Sequence, residues 1–160
     1  MRAEFIDSLH HVDADSWNRC LASDYPFLQH LFLVGLEDTL CTTRASGWQP
    51  HHCLIWDQDQ LVAAAPTYFK SHSYGEYVFD WAFADAWQRS GLQYYPKLLT
   101  AVPFTPCSGP RLLVRPDVES PADIRERLVD ALCEEARTRA SSWHVLFHNE
   151  PDMTRTNQNT

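Results

Sequence analysis

Apolar and polar positions fall into short blocks along this chain, and each block predicts one element. Residues 4–9 read as a first strand. Asp13 or Asp15 can cap a short helix that carries Trp17, Cys20 and Leu21. Pro26 stands near the start of a second helix, whose Phe27, Leu28, Leu31, Phe32 and Leu36 recur at helical spacing. Residues 52–56 predict a strand, Asp57-Gln58-Asp59-Gln60 a tight turn, and 61–69 the returning strand of a hairpin. Pro66 cannot donate to a ladder, so it predicts a bulge or an edge position within that second strand.

Residues 76–81 alternate and read as another strand or else a loop, while 84–90 and 95–101 read as short helices, with Pro96 tolerated in a first turn. Residues 111–114 form a short apolar strand. The clearest helix covers 121–140: Ser120 and Asp123 make a capping-box-like pair, Pro121 occupies the first turn, and Ile124, Leu128, Leu132 and Ala136 line one face. Residues 143–147 follow as a strand, and the order strand, helix, strand predicts a right-handed parallel crossover. These elements predict one α/β (α+β) domain over 1–150, a mixed sheet flanked by helices, followed by a disordered polar tail at 151–160. No internal repeat is evident.

Composition narrows the function classes. A length of 160 residues suits one domain with a sizeable core, and 44% hydrophobic residues with six tryptophans argue against disorder. Thirteen basic against 21 acidic residues give a formal charge of −8, which opposes broad attraction to DNA or to an anionic membrane. The five cysteines are widely spaced, with no CxxC, so neither a disulfide framework nor a thiolate zinc site is indicated. His10-His11 and His51-His52 are adjacent pairs that a strand would send to opposite faces; no metal-ligand motif appears, and none is expected. Cys107-Ser108-Gly109 lacks the context of a nucleophile elbow. No signal-like apolar region follows Met1, and the apolar run 31–36 is too short to span a bilayer, so a soluble cytoplasmic protein is expected.

The chemistry concentrates between Lys70 and Leu113, where polar and aromatic residues crowd among glycines and prolines, as in a cleft wall. On a strand, Glu76, Val78 and Asp80 would share one face and Tyr77 and Trp81 the other. Glu76, Asp80 or His72 can accept a proton; Lys70 or Arg111 can hold an anionic group. Tyr94, Tyr95 and Lys97 offer ring faces and a charge, and Gly109 lets backbone approach a ligand. The competing reading is a solvated sheet face with ordinary surface pairs, packing aromatics and a rigid turn around Pro106, Gly109 and Pro110.

Three blocks in this order carry a resemblance: KSHSYGEYVFDW at 70–81, YYPKL at 94–98, and PFTP with GPRL at 103–106 and 109–112. They resemble the acyl-CoA N-acyltransferase (GNAT) fold and, more narrowly, the FemAB-like proteins of peptidoglycan biosynthesis or recognition. Weaker similarity runs from about Tyr25 to Phe147. The resemblance implies transfer of an acyl or aminoacyl group to an amine, through a ternary complex without a covalent enzyme intermediate. It implies acyl-CoA or aminoacyl-tRNA as donor and a small-molecule or cell-wall precursor as acceptor. On it, Glu76, Asp80 and His72 are the catalytic candidates. Lys70, Tyr74, Trp81, Tyr94, Tyr95, Lys97, Gly109 and Arg111 are the substrate-binding ones. Family members usually carry a second acyltransferase-like half, so this chain is expected to be an N-terminal half, incomplete at its C-terminus. A catalytically inactive truncated binding module of the same fold is the alternative. Acetyl-CoA users place a Gln/Arg-x-x-Gly-x-Gly/Ala loop before a helix to receive the pyrophosphate. The nearest string here, Gln88-Arg89-Ser90-Gly91-Leu92-Gln93, ends in glutamine.

Overall fold

The computed structural model describes residues 1–78 and 80–149; the predicted tail at 151–160 lies outside them. The elements in chain order are β1 (Arg2–Ile6), α1 (Ala14–Asn18), α2 (His30–Asp38), β2 (Trp48–Pro50), β3 (His52–Asp57), β4 (Gln60–Ala65) and β5 (Thr67–Lys70). They continue with α3 (Trp81–Arg89), β6 (Lys97–Thr100), β7 (Leu113–Val114), α4 (Pro121–Arg139) and β8 (Trp143–Val145). The strands form two four-stranded sheets, β1-β3-β4-β7 and β2-β5-β6-β8. The first is antiparallel throughout; the second is mixed, since β8 joins β6 in parallel.

Pro66 explains the division. The predicted strand 61–69 breaks at this residue into β4, which serves the first sheet, and β5, which serves the second. Without an N–H, Pro66 cannot continue a ladder, though its carbonyl still accepts from Ala101 N at 3.2 Å. His51 breaks the partner strand at the matching level, its N–H donating to Thr67 O at 2.8 Å. His52 then seals the junction: its Nδ1 accepts from Thr67 N, so its Nε2 carries the proton and donates to Glu37 at 3.2 Å.

α4 packs across both sheets. Ile124, Leu128, Val129, Leu132 and Ala136 are buried against Cys53, Ile55, Ala63, Leu98 and Val114, which is the face its periodicity predicts. Each fully buried leucine contributes about 1.5–3 kcal/mol. On the other side of the first sheet, Trp17, Leu28, Leu33 and Val34 meet Leu54, Leu61, Ala64 and Leu113. Trp17 Nε1–H donates to Leu28 O at 2.8 Å, which ties α1 to the turn before α2. Asp13, rather than Asp15, caps α1, accepting from Ser16 N at 2.9 Å.

Several expectations need correction. The second helix starts at His30, because Gln29 is extended (ψ 139°); the register turns Leu33 and Val34 inward and leaves Leu31 82% exposed. Ser120 stands at the N-cap of α4 but makes no side-chain capping bond. The expected helix over 95–101 is strand β6, fully buried between β5 and β8, where tertiary pairing overrides a local helical pattern. The predicted parallel crossover does not form between 111–114 and 143–147. β7 pairs antiparallel with β4, and α4 carries the chain over to the second sheet, where β8 pairs with β6.

Candidate active site

The site begins with a register. β5 and β6 pair so that Lys70 lies directly opposite Lys97, and residues so paired share one face of the sheet. Both lysines are buried, at 0% and 1% exposure. Like charges in that relation repel, and burial away from water makes each costlier still. Loop 71–80 supplies the compensation. Positive φ at Gly75 (79°) and Tyr77 (60°) bends the chain and brings Glu76 and Asp80 both inward. Of the span 76–81, read as a strand or a loop, residues 76–78 are loop and Trp81 opens α3. The two carboxylates still converge, by curvature and not by alternation.

Lys97 is the hub. Its Nζ donates to Glu76 Oε2 at 2.7 Å, Asp80 Oδ2 at 2.5 Å and Ser73 Oγ at 3.0 Å, which uses all three of its donors. Tyr94 O–H donates to Asp80 Oδ2 at 2.6 Å, and Tyr95 shares a 2.7 Å bond with Ser73 Oγ. Lys70 Nζ rests 3.8 Å from the centre of the Trp48 ring, donates to Tyr74 O at 3.2 Å, and lies 3.9 Å from Glu76 Oε1. Asp80 also stands at the N-cap position of α3, but its side chain is spent on Lys97 and Tyr94 and caps nothing.

Burial is the largest influence on Lys70, Glu76 and Asp80. It brings Lys70 down to about 7, against the pull of Glu76, and pushes Glu76 above the usual carboxylate range despite the hydrogen bond from Lys97. For Asp80, burial pushes upward, but hydrogen bonds from Lys97, Ser73 and Tyr94 together outweigh it and hold the carboxyl at about 2. Glu76 Oε1 and Asp80 Oδ1 have no hydrogen-bond donor among the described residues.

Above this cluster opens a pocket of about 360 Å³. Glu76, Asp80, Lys97 and Tyr94 form its polar part; Val78, Phe83, Trp87 and Leu146 form its apolar walls. Phe83 and Trp87 come from α3, none of whose residues is buried. His144 and Ser142 complete the lining. His144 pairs with Leu99 on β6, two residues from Lys97, and so projects from the Lys97 face. Ser142 Oγ lies 2.8 Å from His144 Nε2, and burial followed by the Lys97 charge lowers the imidazole below its ordinary value. A neutral imidazole beside an apolar pocket can accept a proton.

Of the residues expected to form the site, the structure brings together Glu76, Asp80, Lys97 and Tyr94, with Lys70 sealed beneath them. His72 stands apart: its ring covers Gly47, its Nδ1 accepts from Tyr74 N at 3.3 Å, and it does not line this pocket. Tyr74 and Trp81 are exposed on the outer side of the loop, and Tyr95 lines a different pocket. Arg111 lies outside this pocket. It is fully buried, and its guanidinium donates to the carbonyls of Leu146, Pro110 and Cys107. Gly109 gives no approach to a ligand either: the Tyr25 ring occupies the space of a Cβ, and its backbone bridges to His148 and Asn149. The sequence reading missed Ser73, Phe83, Trp87 and His144. For His144 a signal existed, since it is the polar residue on the inward face of an apolar strand that it shares with Leu146.

The Gln88–Gln93 string closes α3 and opens no helix. Gly91 N donates to Gln88 O at 3.0 Å and Leu92 N to Trp87 O at 2.9 Å, with Gly91 at φ 74°, a Schellman ending. Those N–H groups are consumed, at the helix end that repels anions. The N-terminus of α4 is no better suited to a pyrophosphate, because Asp117, Glu119 and Asp123 crowd it and Arg115 is tied to Asp117 at 2.8 Å.

This arrangement of sheets and helices is a GNAT-type N-acyltransferase fold. A crystal structure of a ribosomal-protein-alanine N-acetyltransferase from Brucella melitensis biovar Abortus 2308 matches with a TM-score of 0.53 over 94% of this chain and 81% of that one, at 16% identity. The model of the FemAB-like family, described as peptidoglycan biosynthesis/recognition, matches residues 8–160, and the chain belongs to that family. No curated protein matches it. No described helix is long and apolar enough to cross a membrane, and among the described residues no His, Cys, Asp and Glu cluster suits a metal ion.

Proposed function

We propose that the pocket over the Lys97 cluster binds an amine and that the protein transfers an acyl or aminoacyl group to it, in the modification of a peptidoglycan precursor. The observation that carries this reading is the convergence of Glu76, Asp80, Lys97 and His144 on one largely apolar pocket, in a chain of this family. The carboxylates favour an ammonium group at the pocket floor; it gives up one proton to solvent to become the nucleophilic amine, and His144 takes a second as the nitrogen attacks. The C–N bond forms as the acyl carbon's bond to the donor's sulfur or oxygen breaks, and the leaving group departs with the proton that His144 releases. An apolar wall keeps water from competing for the acyl group.

The test is a transfer assay with acyl-CoA and aminoacyl-tRNA donors in separate arms and a peptidoglycan precursor as the amine acceptor. His144→Asn should lower turnover by about a hundredfold, the lower end of what a positioned base contributes, with little change in acceptor affinity. Undiminished turnover in this variant removes His144 from the chemistry.

One observation favours a second reading, a binding module without turnover: every donor of Lys97 is already used, so the cluster is satisfied as a structural unit. Acceptor binding with no product in either donor arm would select it.

A further inference from the structure

The second sheet has another face. Phe69 and Leu98 are cross-strand partners one residue out of step with Lys70 and Lys97, so they project to the opposite side, towards α4. There, between β2, the ends of β5 and α4, and Tyr95, lies a pocket of about 500 Å³. Its charged lining residues are two arginines, Arg44 and Arg139, in a chain whose formal charge is −8. Ser71, Gln49 and Tyr95 add polar groups, and the Phe69 ring forms part of the wall.

Both guanidinium groups are presented by fixed structure. Arg139 lies 5.0 Å from the centre of the Phe69 ring and pairs with Glu135 at 2.8 Å. Glu135 Oε1 is shared with His51 Nε2, at 2.7 Å. Arg44 sits in a turn locked by reciprocal bonds, Thr43 N to Ser46 Oγ at 2.9 Å and Ser46 N to Thr43 Oγ1 at 3.0 Å. Gly47 closes that turn at φ 73°, its N–H donating to Arg44 O at 3.2 Å. The Arg44 side chain is exposed and has no hydrogen-bond or ion-pair partner among the described residues.

We infer that this second pocket is a binding site for a phosphate-bearing small molecule. Two guanidinium forks match the oxygens of a phosphate or diphosphate, which accept paired N–H bonds. The volume exceeds what a bare ion needs and falls within the range of small-molecule sites. Phe69 and Tyr95 offer ring faces to the rest of the ligand. The site lies on the far side of the sheet from the Lys97 pocket, and its existence does not depend on whether that pocket catalyses transfer.

Calorimetric titration at low ionic strength with inorganic pyrophosphate tests the inference, with ADP and coenzyme A in parallel arms. Saturable one-to-one binding is expected, weakened at least about tenfold in Arg44→Gln, the loss typical of one charge-assisted contact. Arg137→Gln removes a neighbouring exposed arginine on α4 that does not line the pocket, and should bind as the wild type does. Because Arg44 is exposed and unpaired, its variant tests binding without disturbing the fold. Coenzyme A displacing pyrophosphate would make the ligand an acyl donor; ADP binding without coenzyme A would give it to another nucleotide. Absence of saturable binding, or equal affinity in Arg44→Gln, overturns the site. Loss of transfer with pyrophosphate binding intact counts against the acyltransferase reading alone.

Discussion

Lys97→Met keeps an unbranched apolar stem in place and removes the charge at the centre of the buried cluster. Three hydrogen bonds vanish, to Ser73, Glu76 and Asp80. The larger effect is on the two carboxylates, left with Lys70 as the nearest cation, 3.9 Å from Glu76. Removing one partner of a buried ion pair costs about 3–5 kcal/mol. Asp80 offers an independent figure. Its carboxyl goes from an ordinary 3.8 to about 2, although burial by itself would push it the other way. At about 1.4 kcal/mol for each tenfold change in proton affinity, that preference for the ionised form is worth about 2–3 kcal/mol. Lys97 is the leading hydrogen-bond donor behind it. A loss of about 3 kcal/mol at pH 7 satisfies both routes, and with a urea slope of about 2 kcal/mol/M the midpoint falls by about 1.5 M.

The sign with pH is fixed by the same group. A carboxyl whose folded value is depressed stabilises above its unfolded value and loses that contribution as pH falls through the folded one. For Asp80 the window runs from 3.8 down to about 2. Asp80's part of the advantage of wild type over Lys97→Met should therefore be constant between pH 7 and pH 5 and roughly halve by pH 3. Urea titrations followed by tryptophan fluorescence at pH 7, 5 and 3 measure this. A difference below about 1 kcal/mol at pH 7 would show that water reaches the cluster and that it is an ordinary surface network. A difference that stays constant to pH 3 would detach it from Asp80.

Two further outcomes follow from the packing. Gly47→Ala should destabilise by about 2 kcal/mol, since φ is 73° and the new Cβ would lie 2.1 Å from His72 Nε2, so the imidazole must move; a histidine NMR shift at His72 and the urea midpoint report it, and an unchanged midpoint refutes the contact. Arg111→Met should cost about 3 kcal/mol by emptying a fully buried guanidinium site and leaving three part-buried carbonyls without their donor, while acceptor affinity in the variant's folded fraction stays as in wild type; a selective loss of affinity would restore Arg111 to the binding site.

Legibility from the sequence divides along physical lines. α4 could be read closely because nineteen residues repeat one apolar face and carry a proline in the first turn, so local pattern and burial agree. Residues 95–101 could not, since Lys97-Leu98-Leu99-Thr100 fits either period and the deciding fact is a strand on each side. Loop 71–80 shows the same limit inside the site. Its composition marked it as functional, and four of its neighbourhood's candidates do meet at one pocket. Yet the geometry stays open between strand and loop, because alternation over six residues looks alike whichever of the two produces it. Trp87 was out of reach for another reason, since nothing local names a partner ten positions away; His144 carried the signal of a polar residue on an apolar strand, but nothing named Lys97, 47 positions away, as its partner.

What makes the loop fold inward is the sheet beneath it. A register that sets Lys70 against Lys97 is unfavourable unless two negative charges arrive on the same face, and Glu76 and Asp80 are the carboxylates that close the account. The two strands, each with a lysine ion-paired to the loop, and the loop are thereby tied into one unit. An apolar pair at 70 and 97 would hold the sheet more cheaply, as buried ion pairs replaced by well-packed residues often show. The sheet keeps the charges, and with them two carboxylate oxygens that no described donor satisfies. That cost falls beside the pocket that His144, Phe83 and Trp87 help to line. The same substitution therefore separates structure from function. Lys70→Met with Lys97→Met and Glu76→Gln with Asp80→Asn, four changes that leave no charge uncompensated, should regain much of the stability lost in Lys97→Met while losing amine binding.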